Sequence, residues 1–460
     1  MGSKSVSIAA ALLMLLPLLS SAQNLKIVGK TNRPNALVRL LTYDDMFTRE
    51  QTTIDETRSD IVGNFSFNTV IQQVTPVQIA VGLDRVDLVL RPGGFYDIVI
   101  TIHERDAEQS YFEREPPSLT INESRDNDMS RQLITAEAVI ADFVYDHVDE
   151  ICRARKSYLI DTLANMVDRS FGDSENTYSD DFVRYKLASL RLVASMGNSS
   201  KIITQYFDSQ PVLYSQSSYV ELFDDVFKNY FQSHGFSHGG LVGALYSGYG
   251  GFRDYVMEDD FLSRNPQLAE MVILKYLSQV YYGRPEMRPL VLGLMEAMAD
   301  GSCYPENRDV AANMVRRVSR LAYDTEAPSF SLCDRDGDTV RLLDLSGGMV
   351  LLQFVDRVST MSDYEFSRLK ELHDQWQDTI SVVTISVSEA FDDFVKLFEN
   401  KGYKWQLLNL GDDILLLEKY NVRTCPDYVI LKSGGRIGMA PAATPDRYLD
   451  YHVRRIYSYK

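Results

Sequence analysis

The sequence predicts a multidomain α+β chain: an N-terminal β-sandwich, a helical middle region and a C-terminal α/β domain. Three observations carry this. Apolar residues alternate with a period of two through 24–104, recur at helical spacing through 131–325, and fall into alternating strands and helices from 326 to 460. With 460 residues the chain has room for several cores. Hydrophobic residues make up 45% and charged residues 24%, as in ordinary folded chains. The formal net charge of −17 argues against coating nucleic acid and against docking on anionic lipid. Four cysteines are too few for a disulfide-built scaffold, and they lack zinc-ribbon spacing.

Residues 1–22 read as an export signal. Lys4 is the only charge, an apolar run follows from Ile8 to Leu19, and Ser20 and Ala22 sit where a signal peptidase reads before Gln23. The run is shorter than the ~20 apolar residues of a spanning helix. No later stretch is apolar enough to span. The expectation is a periplasmic or secreted protein after removal of the signal.

From 23 to 104 the runs at Leu25–Ile27, Leu37–Leu41, Phe65–Phe67, Val77–Val81, Val86–Leu90 and Ile98–Ile102 predict short strands of an antiparallel sandwich. Turn residues separate them, notably Asp60 to Gly63 and Pro92-Gly93-Gly94. The segment Ser59-Asp60-Ile61-Val62-Gly63-Asn64-Phe65-Ser66-Phe67 places a turn before two inward aromatics at i and i+2. It resembles the turn-strand signature of carboxypeptidase-regulatory-like and transthyretin-like sandwiches, modules that usually support or bind. Residues 105–130 are polar and read as a linker or a wrapping loop.

Between 131 and 325 the apolar spacing predicts helices. One runs from Leu133 to Ile151. Ser218 to Glu221 reads as a capping box opening a second helix, to about Phe231. Asn265-Pro266 reads as an N-cap with proline at the first helical position. A helix closing at Asp300-Gly301 and another over 307–323 follow. His234 and His238 are four apart, a spacing that holds a metal on a helix, but the glycines around them favour a loop with polar histidines. The segment Gly243 to Gly251 lacks the Gly-Lys-Ser/Thr of a phosphate loop. No cofactor and no metal is expected.

In the last third, Ser329–Cys333 and Thr339–Leu343 flank the turn at Asp334 to Gly337. Met349–Val355 and Thr379–Val387 are continuous apolar strands, as expected when both faces are covered. Helices are expected over 362–376, 391–400 and 445–457, with a hairpin over 428–439. Two motifs stand out here. Ala327-Pro328-Ser329-Phe330-Ser331-Leu332, Asp336-Gly337 and Val350-Leu351-Leu352-Gln353-Phe354 resemble the opening of a TlpA-like thioredoxin domain. Val422-Arg423-Thr424-Cys425-Pro426-Asp427-Tyr428-Val429-Ile430 with Gly434-Gly435-Arg436-Ile437 resembles that family's cis-proline strand and hairpin. The resemblance implies a C-terminal thioredoxin-like α/β domain over 326–460. The overall plan is also similar to exported bacterial TlpA-like proteins.

The departure lies at the chemistry. The family follows its central strand with Trp-Cys-x-x-Cys at a helix N-terminus, which favours a thiolate. Carried over by position, Val358 stands for the tryptophan, and Ser359 and Ser362 stand for the two cysteines. A serine hydroxyl forms no mixed disulfide. No cysteine occurs anywhere from 334 to 424, so the loss is independent of register. Hydrolase use of Ser359 lacks a nucleophile elbow; its candidate bases are His373, a few turns along the same helix, and His452 on the last helix. Cys425 beside Pro426 reads either as a thiol able to trap a partner or as a small residue packing next to the proline. Cys152 and Cys303 lie in the helical zone, and Cys333 lies on the first hairpin.

The sequence therefore supports a redox-inactive binding module of the cell envelope, with no assigned catalytic residue. Thr424, Cys425 and Pro426 would hold an extended peptide or an envelope protein. The alternative is a thiol–disulfide oxidoreductase with residual activity through Cys425 or a partner's thiol. A third reading is a structural envelope protein without a peptide site.

Overall fold

The computed structural model describes residues 24–104, 109–171, 176–376, 380–387 and 391–458. The expected export signal, 1–22, lies outside them. Among the described residues no helix is long and apolar enough to cross a membrane.

Eight strands form the N-terminal region: β1 (Leu25–Thr31), β2 (Leu37–Tyr43), β3 (Gln51–Arg58), β4 (Asn64–Thr69), β5 (Thr75–Val81), β6 (Asp84–Leu90), β7 (Phe95–Thr101) and β8 (Ser118–Arg125). They make two four-stranded sheets, ordered β4-β1-β7-β8 and β3-β2-β5-β6. Leu25, Phe65, Phe67 and Ile98 of one sheet share a core with Val38, Leu40, Ile79 and Val86 of the other. Burial of each such side chain stabilises the sandwich by about 1.5–3 kcal/mol. The Asp60 turn works as its residues dictate. Asp60 Oδ1 accepts from the amides of Val62 (2.9 Å) and Asn64 (2.8 Å). Gly63 has φ +89°, and a Cβ there would lie 1.9 Å from the Thr31 carbonyl oxygen. Only glycine fits that position.

Three features differ from the expectation. The sandwich is not wholly antiparallel, because β1 pairs in parallel with β7. β3 is an additional strand whose residues are all partly or fully exposed, so it shows no apolar run. The region 105–130 is not all connection: β8 pairs antiparallel with β7 as an edge strand, inward through Leu119 and Ile121.

The middle region is helical, as expected. Helices Met129–Cys152, Tyr158–Phe171 and Thr177–Ala194 share one core. Ser199–Tyr206, Ser217–Val226, Pro266–Gly283, Arg288–Gly301 and Pro305–Ser319 build a second, aromatic-rich one. Asn265 caps its helix, accepting from the Leu268 amide at 3.2 Å. The capping box at Ser218 is not formed. Its helix starts two residues earlier, at Ser217 with Gln216 at the N-cap, Ser218 is buried in the first turn, and the helix ends at Val226. The glycine-rich segment is helical too, as His238–Tyr246 and Gly248–Val256, with Ser237 capping the first. His234 precedes that helix and stacks on Tyr230 at 3.9 Å between ring centroids. The two histidines thus do not share a helix face. Among the described residues no cluster of three metal-ligating side chains occurs.

The C-terminal region is one seven-stranded sheet. Its strands are β9 (Ser331–Asp334), β10 (Thr339–Arg341), β11 (Met349–Val355), β12 (Ile380–Ser386), β13 (Gln406–Asn409), β14 (Asp427–Lys432) and β15 (Arg436–Met439). The order is β10-β9-β13-β12-β11-β14-β15. β11, β12 and β13 run parallel, while β14 lies antiparallel to β11. All seven residues of β11 are buried, as its unbroken apolar run requires. Helices Thr360–Trp376 and Phe391–Lys401 share one face's core with the final helix Leu449–Ser458. The short helix Ile414–Lys419 packs on the other face. β13, that short helix and a one-turn helix Leu342–Leu345, where the expected strand from Thr339 stops at Arg341, are three elements beyond the expected order.

The three regions are joined by polar anchors and shared cores. Buried Asp45, in the turn after β2, accepts from Thr48 and from Asn313 Nδ2 (2.7 Å). Phe47 of the same turn packs edge-on to Phe223. Arg85 of β6 pairs with Glu418 at 3.2 Å. Leu41, Ala80 and Leu83 of the sandwich enter the core under the C-terminal sheet.

Candidate functional site

The candidate site lies where β11 ends. Val355 is the last strand residue, and Asp356, Arg357 and Val358 lead into the helix Thr360–Trp376. Ser359 takes the N-cap position of that helix and Ser362 its third helical residue. Ser359 Oγ accepts from the Ser362 amide at 3.1 Å, and Ser362 Oγ accepts from the Ser359 amide at 2.7 Å. This is the reciprocal geometry of a capping box, with a second serine in the place of the usual Glu or Gln. The two hydroxyl oxygens are 3.4 Å apart. Ser362 is buried and Ser359 half-buried, while Val358 is exposed.

Across from this turn lies the loop before β14. The Cys425–Pro426 bond is cis, as the resemblance implies. A second cis bond, Ala440–Pro441, was not signalled by the sequence. Thr424 is exposed, and Cys425, Pro426 and Asp427 are half-buried. Burial pushes the Cys425 thiol well above its ordinary value; Asp356 and Asp427 push it the same way, and Arg357 opposes them. Asp427 is itself raised by burial. The thiol is therefore protonated at neutral pH and a poor nucleophile. All four cysteines are free, so Cys152 and Cys303 do not pair.

Two further groups complete the site. Asp356 is buried and accepts from Ser110 Oγ (2.5 Å) and the Tyr111 amide (2.9 Å). Tyr111 and Phe112 pack against the same core face as Cys425. Part of the polar segment thus wraps over the site, one of the two roles expected for 105–130. Beneath the serine turn, hydrogen bonds cross three strands. Trp405 Nε1 donates to Thr384 Oγ1 (3.0 Å), Thr384 Oγ1 to Gln353 Oε1 (2.8 Å), Gln353 Nε2 to Tyr428 Oη (3.1 Å), and Tyr428 Oη to Glu365 Oε2 (2.8 Å). Burial raises the Glu365 carboxyl, and the Tyr428 bond opposes the rise. Gln353 inside an apolar strand was the legible signal for this chain. Asp356 carried no signal, because its partners lie 245 residues and more away in sequence.

A β-α-β unit ending beside a helix N-terminus, with a cis-proline strand antiparallel to its first strand, defines a thioredoxin-like layer. Part of the chain is similar to solved thioredoxin-like and thiol–disulfide proteins. The thioredoxin domain of a thiol-disulfide oxidoreductase from Bacteroides vulgatus is 24% identical, covering 30% of this chain and 99% of that one, with a TM-score of 0.28. A thiol:disulfide interchange protein from Bacteroides sp. is 22% identical over 30% of this chain and 92% of its own, with a TM-score of 0.28. A thioredoxin-like protein from Bacteroides caccae is 16% identical over 52% and 92%, with a TM-score of 0.29. No protein-family model and no curated protein matches the chain.

Proposed function

We propose that the chain is an exported, redox-inactive thioredoxin-like protein that binds an extended peptide or a partner protein of the cell envelope. The observation that carries this reading is the reciprocal cap of Ser359 and Ser362. The Ser359 and Ser362 amides at the helix start donate to serine oxygens, and no thiol stands there, which supports a scaffold kept without its nucleophile. The exposed Thr424 and half-exposed Pro426 supply backbone for pairing with an extended segment. Residual thiol–disulfide chemistry through Cys425 is opposed by the raised thiol and by the lack of a resolving cysteine beside it. Insulin reduction in the presence of dithiothreitol tests the reading. The wild type is expected to match the no-protein rate. A rate above it that disappears in Cys425→Ser would establish the oxidoreductase instead.

A further inference from the structure

A cavity of about 1400 Å³ lies where the three regions meet. Its walls are the turn after β2 and the β5–β6 face, the helices ending at Gly283 and Ser319, and the edge of the C-terminal layer at Glu418 to Arg423, Asp427 and Pro441. The chain as a whole is acidic, yet eight arginines and lysines face this cavity against four carboxylates. The pairing sharpens the imbalance. Glu50 is taken by Arg320, and Glu418 by Arg85 and Arg423. Among the described residues Arg288 and Arg317 bond only to neutral carbonyls, those of Tyr281 and Thr48. Arg49 and Lys419 have no ion-pair partner among the described residues. Four cations are thus left uncompensated by carboxylates, against Glu326 and a burial-raised Asp427. A cleft with walls of one sign focuses its field and concentrates counter-charged ligands.

We infer that this cavity binds a carboxylate-rich peptide segment. Its volume exceeds the ~300–1,000 Å³ of small-molecule sites. Arginine forks match carboxylates in planar, bidentate geometry. Tyr43, Tyr282 and Tyr420 add aromatic surface between the charges. The inference deepens the binding reading above by giving the peptide a charge and a second wall. It can fail separately, because redox activity in the wild type would leave the cavity unchanged.

The test is fluorescence anisotropy of the purified chain with a labelled hexaglutamate peptide, and with hexalysine and citrate as comparisons. Hexaglutamate is expected to bind, to weaken with added salt, and to lose at least tenfold in affinity in Arg49→Glu with Lys419→Glu. Both positions are exposed, and each single variant is measured beside the pair so that a folding defect in one leaves the others readable. Lys396→Glu, on a distant helix, is expected to bind as the wild type does. Equal binding of hexalysine, wild-type affinity in all three cavity variants, or displacement by citrate at matched concentration would overturn the inference, the last by defining a small-anion site.

Discussion

Ser359 and Ser362 cap one another: each hydroxyl accepts the backbone amide of the other, at 3.1 and 2.7 Å. Under the proposed reading, the pair takes the place of a reactive dithiol. What remains there is a stabilised helix start.

Removing either hydroxyl should therefore cost stability. Ser359→Ala and Ser362→Ala are each expected to destabilise the chain by about 0.5–2 kcal/mol, the range for a lost N-cap. The double variant should cost less than the sum, because the two bonds form one unit. Urea denaturation measures all three. Unchanged midpoints would remove the capping role.

The burial-raised thiol of Cys425 predicts slow alkylation. With iodoacetamide at pH 8, Cys425 should react at least tenfold more slowly than the exposed Cys152, Cys303 and Cys333, read peptide by peptide by mass spectrometry. Equal rates would mean that the thiol is available for exchange.

The connection into the C-terminal sheet is expected to resist proteases. The Asp324 amide bonds to the Ile437 carbonyl and the Ala327 amide to the Gly435 carbonyl, so the segment pairs along β15. Lys432 donates to the Asp324 carboxylate and, with Arg436, holds its pKa below the ordinary 3.8. A depressed acid stabilises above its unfolded pKa, and that contribution is lost as pH falls through the folded value. Acid loss of stability below about pH 4 should be shallower in Asp324→Asn. Cleavage at 324–328 that releases an intact C-terminal fragment at neutral pH would contradict the pairing.

Tyr428→Phe should break the chain of hydrogen bonds under the serine turn. Gln353 would lose an acceptor and Glu365 a donor, at a cost of about 1–3 kcal/mol. Without that donor the Glu365 carboxyl rises further, so the native state holds its proton more tightly than the unfolded chain does. Stability then falls as pH rises through the acidic range, and the deficit against wild type should be larger at pH 7 than at pH 4. A pH-independent deficit would place the cost in packing alone.

Much of this fold is written locally. The Asp60 turn, the paired aromatics Phe65 and Phe67, and the seven buried residues of β11 each follow from short-range pattern. β3 was illegible because it buries little. β13 and the helix Ile414–Lys419 were illegible because four and six residues are too short to show a period. The edge strand β8 did alternate, through Leu119 and Ile121, but its charged residues read as a linker. At the site, the serine pair and the cis-proline loop were legible because each is contiguous. The Asp356 anchor and the cationic cavity were not, because they join residues such as Arg49, Arg288 and Lys419 that only the packed regions bring together.

The most direct test of a thioredoxin scaffold that lacks only its thiols is to restore them. In Ser359→Cys with Ser362→Cys the sulfurs would replace oxygens now 3.4 Å apart, so a disulfide is within reach. The variant is expected to form that disulfide and to gain partial insulin-reducing activity over an inactive wild type, limited by the exposed Val358 beside the pair. A folded double variant that never forms the 359–362 disulfide, or a wild type as active as a thioredoxin control, would contradict the account.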